Sequence, residues 1–278
     1  MAVEVTSWAE LLQAASGDDP TVEINCPENA VWDLGEIEPE GHTGTIKLCG
    51  QINGRGTKIK NLVLTEGTTT GIFDVKGTLT DLHFVDGVWK SGQTYIVRLN
   101  QANTICQMCT FSASVQNPTL FTFFYSFAGT SNTTIVYRCA GNIEVATSAN
   151  IILFGANIIG RYNNFKLSGS RLTFVQIAGE DGAMIQGVTQ YSYVTLDTPA
   201  VTSIYAAKFW WGLLRCTGAN VTDLRFIGDG SGQRITLACD SDFPNATQLS
   251  QGLRLCTEAQ LHDAAYLQSI GFPIGVEY

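Results

Sequence analysis

Charge is scarce in this sequence. Lys, Arg, Asp and Glu supply 15% of its 278 residues, and Lys or Arg nowhere gather into a run. Phosphate binding needs a cationic surface, so a formal net charge of −9 excludes a nucleic-acid partner and disfavours an anionic membrane surface. Long apolar runs are missing as well. The densest stretches, LFTFFYSF and KFWWGLL, fall far short of the roughly 18 residues that a membrane span requires, so no membrane partner is expected. The N-terminal MAVEVTSWAELLQAASGDD has neither the basic nor the apolar segment of a secretory signal, and synthesis in a cytoplasm without a signal peptide is expected.

Motifs that carry chemistry are equally thin. The three histidines, His42, His83 and His262, stand far apart. Cys106 and Cys109 form the only CxxC, with no second pair at zinc-site spacing and no histidine nearby. The eight cysteines are spread along a chain long enough to need no staples, so buried or interfacial free thiols are expected, with metal or redox roles as the alternative. Walker loops and G-x-S-x-G elbows are absent, and Gly50–Gly56 (GQINGRG) lacks the helix and Lys of a phosphate loop. No metal or cofactor is implied and no catalytic residue is nominated.

What is abundant is glycine, 28 residues, among many short apolar stretches. One pattern recurs: apolar, mostly polar, apolar. It appears at Leu62–Leu64, Leu82–Phe84, Cys109–Phe111, Tyr137–Cys139, Phe165–Leu167, Val194–Leu196 and Leu224–Phe226. In a strand the outer two side chains face one way and the middle one the other. From the last residue of each triplet the steps are 20, 27, 28, 28, 29 and 30 residues. A leucine-rich-repeat signature is absent, and few Asn-Gly or Asp-Gly pairs stand where hairpins need them. The fold expected is all-β: a right-handed parallel β-helix of roughly eight to ten coils, about 40–50 Å long at 4.8 Å per coil.

A solenoid exposes core and strand edges at both ends, and such arrays need caps. Ser7-Trp8-Ala9-Glu10 fits a capping box, and Trp8, Leu11, Leu12 and Ala15 share one helical face that Gly17 ends. Thr257 and Gln260 repeat the device near the other end, before Leu261, Ala264, Ala265 and Leu267. The expected organisation is a capping helix in 1–20, the β-helix in 21–256, and a capping helix with its tail in 257–278. The apolar tail marks Tyr266, Phe272, Ile274 and Tyr278 as candidate assembly contacts.

Among the acids, Asp74, Asp81, Asp86, Glu144, Asp197, Asp223 and Asp229 are the candidates for a carboxylate pair. Asp81 and Asp223 occupy one slot of the repeat, but Met108, Val136, Asn164 and Tyr193 fill that slot in the coils next in line. Turn or solvated-face acids are therefore expected. Aromatic clusters are the better hint. In FTFFYSF, strand alternation puts Phe121, Phe123, Tyr125 and Phe127 on one face and Phe124 on the other; Trp210 and Trp211 must likewise diverge. Trp210, Trp211 and Phe124 are the candidate binding residues, with core, subunit interface and sugar-stacking platform as the three roles open to them.

The cap SWAELLQAA, coils typified by GTLTDLHF, and the ending TEAQLHDAAYLQSIGFPIG together resemble the parallel β-helix proteins of phage virions and of pectate-lyase-like proteins. That resemblance implies a virion component made in a host cytoplasm: a homotrimer that decorates a capsid or forms part of a fibre or tailspike, with other virion proteins as partners. The alternative it carries is a solenoid that binds or degrades a surface polysaccharide.

Overall fold

Alternating apolar and polar residues favour strands, and Gly, Asn and Asp break them at short intervals. In the computed structural model these strands pair in parallel with strands one coil away, so the chain stacks into a parallel β-solenoid. The structure describes residues 2–65, 71–90, 93–116, 120–126, 134–145, 149–154, 158–169, 172–176, 188–190, 193–197, 200–207, 209–210, 213–217, 220–227, 236–239, 254–256 and 263–269, with side chains chiefly up to residue 169.

Each coil presents three faces. The strand Ile46–Lys60 runs through all three, and Phe73–Lys90 stacks on it, Ile46 on Phe73, Ile52 on Leu79 and Ile59 on Phe84. Face 1 continues through Gln93–Leu99, Leu120–Ser126, Ala149–Phe154, Leu172–Gln176, Ala200–Ala207 and Asn220–Ile227. Face 2 starts at Val3–Glu4 and Glu23–Asn25. Beyond the two long strands it passes through Ile105–Gln107, Thr134–Tyr137, Ile158–Arg161, Val188–Gln190 and Phe209–Trp210. Face 3 starts at Val31–Asp33. It goes on through Thr110–Gln116, Ala140–Val145, Asn164–Gly169, Tyr193–Asp197, Leu213–Thr217, Thr236–Cys239 and Arg254–Cys256.

Inward positions line up in columns. Trp32, Ile59, Phe84, Phe111, Gly141, Phe165 and Val194 form the inner column of face 3. Phe84 stacks on Phe111 with centroids 5.6 Å apart, and Phe123, Phe124, Phe154 and Phe165 extend the aromatic core. Such ring pairs add roughly 0.5–1.5 kcal/mol each beyond the area they bury. Gly141 breaks the column because the rings fill its place: a Cβ there would lie 2.6 Å from Phe165 and 2.8 Å from Phe123.

The corner between faces 2 and 3 turns on single left-handed residues. Asn29, Arg55, Asp81, Met108, Arg138 and Tyr162 all have φ between 50° and 55°. Left-handed backbone is costly for a residue with a Cβ. Hydrogen bonds to the next coil offset that cost: Met108 N–H donates to Tyr137 O at 2.9 Å and Arg138 N–H to Arg161 O at 3.0 Å. On the inner side Asn163 is fully buried; its Oδ1 accepts from Cys139 N–H at 2.9 Å and its Nδ2 donates to Val136 O at 3.1 Å. The triplet Tyr137–Cys139 therefore spans a corner, not a flat strand. The true register partner of Phe111 is Gly141.

At the N-terminus, helix α1 (Trp8–Ala14) buries Trp8 and Leu11 against the first coils. Ser7 Oγ accepts from Glu10 N–H at 3.3 Å as a cap should. The Glu10 carboxylate reaches one residue further back than the capping box predicts, to Thr6 N–H at 2.7 Å. The helix closes at Ala14, before Gly17, and Ala15 O takes the N–H of Cys49 at 3.1 Å. A short helix α2 (Leu34–Ile37), capped by Asp33, was not expected. Helix α3 (Ala264–Ser269) is capped by Asp263, whose Oδ1 accepts from Ala265 and Tyr266 N–H groups. The expected caps Thr257 and Gln260 lie outside the described residues.

Candidate binding surface

The outer side of face 3 carries a shallow trough of about 360 Å³, lined by Asp86, Ser112, Ser114, Asn142, Glu144, Lys166 and Ser168, with Gly87 and Ala113 in its floor. Strand alternation creates it. Phe111, Phe165 and Leu167 point inward and are fully buried, so Ser112, Lys166 and Ser168 must point out. The register then sets a grid: Ser112, Asn142 and Lys166 form one outer column, and Ser114, Glu144 and Ser168 the next. Neighbours in a column are about 4.8 Å apart and the columns about 6.7 Å, so hydroxyl, amide, carboxylate and ammonium groups are spread over three coils.

At the corner beside this trough, the Tyr137 and Tyr162 rings meet edge to face at 5.6 Å. The Arg138 guanidinium stands 5.3 Å from the Tyr137 ring centroid. Both tyrosines are only half-buried. Sequence reasoning placed Tyr137 inside the core. Its signal was adjacency to a left-handed residue, which no periodicity reveals.

A second recess, about 230 Å³, lies on face 1, among Gly17, Asp18, Lys47, Cys49, Asp74, Lys76, Arg98 and Asn100. Asp74 is buried here, held by Arg98 through Nε at 3.1 Å and through Nη2, and by Asn100 Nδ2 at 3.2 Å. Lys76 Nζ donates to Asp18 Oδ1 at 3.0 Å.

The candidate residues are dispersed. Phe124 is fully buried, which gives it the core place among the three roles open to it. The reason recurs in four coils. Ile72–Phe73, Ile96–Val97, Phe123–Phe124 and Leu153–Phe154 are consecutive residues that are all buried. Phe73, Val97, Phe124 and Phe154 stand in one register column, so the chain bends there and both side chains of each pair enter the core. Trp210 pairs in register with Gln190 on face 2; its side chain, and Trp211 altogether, lie outside the described residues. Tyr266 is half-buried on α3, whereas Phe272, Ile274 and Tyr278 lie outside the described residues.

Of the acids, Asp86 and Glu144 both line the trough and Asp74 lines the face-1 recess. Asp81 sits on the corner, its Oδ1 3.2 Å from His83 Nε2. Asp223 pairs with Ser203 on face 1, so Asp81 and Asp223 do not share a slot. Asp81 is followed on the corner by Met108, Arg138 and Tyr162 instead. Asp197 follows Ser168 in register on face 3, and Asp229 lies outside the described residues.

The cysteines whose side chains are described, Cys26, Cys49, Cys106, Cys109 and Cys139, are all free and buried. Burial pushes the Cys26 thiol up to about 12 and raises Cys139 well above the usual thiol range. Cys106 Sγ lies 3.8 Å from Cys139 Sγ. Among the described residues no group of three His, Cys, Asp or Glu side chains could hold a metal ion.

No protein-family model, no curated protein and no solved structure matches this chain.

Proposed function

We propose that the protein is a rod of the phage-virion type whose third face binds an extended polysaccharide. The observation that carries the ligand is the trough: a shallow, polar surface in which six outward side chains repeat at coil spacing. Saccharides offer hydroxyl groups on both sides of each ring, and Ser, Asn, Glu and Lys are matched donors and acceptors for them. The Tyr137–Tyr162 pair supplies an aromatic flank of the kind sugar rings stack on. The virion setting rests on the sequence resemblance.

Binding fits the trough better than cleavage. Asp86 and Glu144 belong to coils two rungs apart and are offset along the strand. On the strand grid their backbones stand about 12 Å apart, and the strands beside Glu144 put Ser114 and Ser168, not a second carboxylate, next to it.

Affinity electrophoresis in gels containing bacterial capsular or O-antigen polysaccharides tests the reading. A matching polysaccharide retards the protein, and the double variant Ser112→Ala/Asn142→Ala or the single variant Lys166→Ala restores free mobility. Retardation that survives these substitutions, or none with any polysaccharide, overturns it. The homotrimer is a separate part of the proposal. Light scattering under reducing conditions then gives about three times the 30.1 kDa chain mass, and a monomer overturns it.

A further inference from the structure

We propose that Thr110, His83 and Asp81 form an acyl-transfer site that hydrolyses small carboxylic esters. It stands beside the trough on the outer side of face 3 and does not depend on the polysaccharide reading.

The three side chains make one relay across two coils. His83 Nε2 lies 3.2 Å from Asp81 Oδ1, and His83 Nδ1 lies 3.1 Å from Thr110 Oγ1. A carboxylate only accepts hydrogen bonds, so Nε2 carries the proton of the neutral ring. Nδ1 is then left to accept from the Thr110 hydroxyl. A hydroxyl bonded to a base that a third group orients is the signature of an activated nucleophile. Register brings the relay together: Leu82, Phe84, Cys109 and Phe111 are buried, so His83 and Thr110 point outward, and they are direct partners on neighbouring strands. Asp81 reaches the ring from the left-handed corner, where its φ is 53°. The relay is open to solvent, with His83 21% and Asp81 38% exposed and Thr110 half-buried.

The same outer column continues from Thr110 to Ala140 and Asn164. Ala140 ends at its methyl, which leaves a gap one coil high, about 4.8 Å, next to the hydroxyl. Asn164, on the far rung, brings an amide donor for a carbonyl oxygen held in that gap. A short acyl group such as acetyl fits it. Thr110 Oγ1 attacks the ester carbonyl while its proton passes to His83 Nδ1. The bond from the carbonyl carbon to the leaving alcohol then breaks, and His83 returns the proton to that alcohol. Water, deprotonated by His83, splits the acyl-threonine, which releases the carboxylic acid and restores Thr110.

Hydrolysis of p-nitrophenyl acetate by the whole chain tests the proposal, counted over many turnovers so that simple acetylation of lysines does not register. Thr110→Val brings the rate down to that of buffer, whereas Thr110→Ser, which restores a hydroxyl, stays within about tenfold of the parent. His83→Gln costs about 100-fold or more. Asp81 acts through His83 as a positioning residue. Asp81→Asn keeps a side chain suited to left-handed backbone, and it lowers kcat by about 100-fold or more with KM unchanged. His42→Gln, at the histidine that pairs with Glu38, leaves the rate as it was. No turnover above buffer overturns the proposal. So does a parent rate kept by Thr110→Val, which would make His83 or another group the nucleophile, or a loss in His42→Gln as large as in His83→Gln.

Discussion

Two corners of the same coil turn the chain by opposite means. Between faces 2 and 3 a single exposed residue takes left-handed backbone, as at Met108 and Arg138, and the strain is offset by an N–H given to the next coil. On face 1 the backbone needs no left-handed residue at the buried pairs Phe123–Phe124 or Leu153–Phe154. Strand alternation is given up there, and two apolar side chains enter the core together. One corner is held by hydrogen bonds and tolerates polar or charged residues outside. The other is held by buried apolar area. The difference predicts where substitutions do most damage.

The face-1 corner is the costlier one to disturb. Phe124→Ala removes a ring that contacts Phe111, Phe123, Phe154 and Phe165, and a loss of about 3–5 kcal/mol is expected. The urea midpoint, followed by circular dichroism, reads it directly. A loss below about 1 kcal/mol would mean that Phe124 lies outside the core after all, as alternation predicts.

At the other corner the inner side chain matters through its polar atoms. Asn163→Ala leaves Cys139 N–H and Val136 O buried without the partner each now has, and a loss of about 2–3 kcal/mol is expected. The same urea titration applies, and a neutral result would show that these groups find other partners. Gly141→Ala follows in size. Its added Cβ would meet Phe165 and Phe123 below 3 Å, and overpacking of this sort costs about 1–3 kcal/mol. An unchanged midpoint would mean that the two rings shift freely, contrary to the stacked core.

This contrast also explains what the sequence could reveal. Short strands, glycine-rich turns and a helical lid at Trp8–Ala14 were legible, because each depends on neighbours within a few residues. Register was legible only where coil length held steady: Phe84 to Phe111 and Phe165 to Val194 pair as the triplets predict. Where the step changed, to 30 residues from Phe111 to Gly141 and then 24 to Phe165, a fixed period put Cys139 in the wrong place. Placing Asp81, in GTLTDLHF, and Asp223, in NVTDLRF, in one slot of the repeat failed for a related reason. The first rounds a corner and the second lies flat on face 1, because tertiary stacking decides which strand bends. Asp86 and Glu144 were among the acids considered, but the trough that joins them to Ser112, Asn142 and Lys166 exists only once register is known.

The smallest expected effect is the most discriminating, because its sign is reversed. Met108 has φ of 55° and is 40% exposed, so its side chain contributes little packing while its Cβ carries the left-handed strain. Met108→Gly removes that strain and keeps the N–H that donates to Tyr137 O at 2.9 Å. Glycine gives back part of the gain through the freedom it adds to the unfolded chain, which leaves a net stabilisation of about 0.5–1 kcal/mol. Met108→Ala, which keeps a Cβ, is expected to stay within about 0.5 kcal/mol of the parent. If glycine instead lowers the urea midpoint below that of alanine, the Met108 corner is not strained. The hydrogen bond from Met108 N–H to Tyr137 O would then hold the corner with no strain to offset.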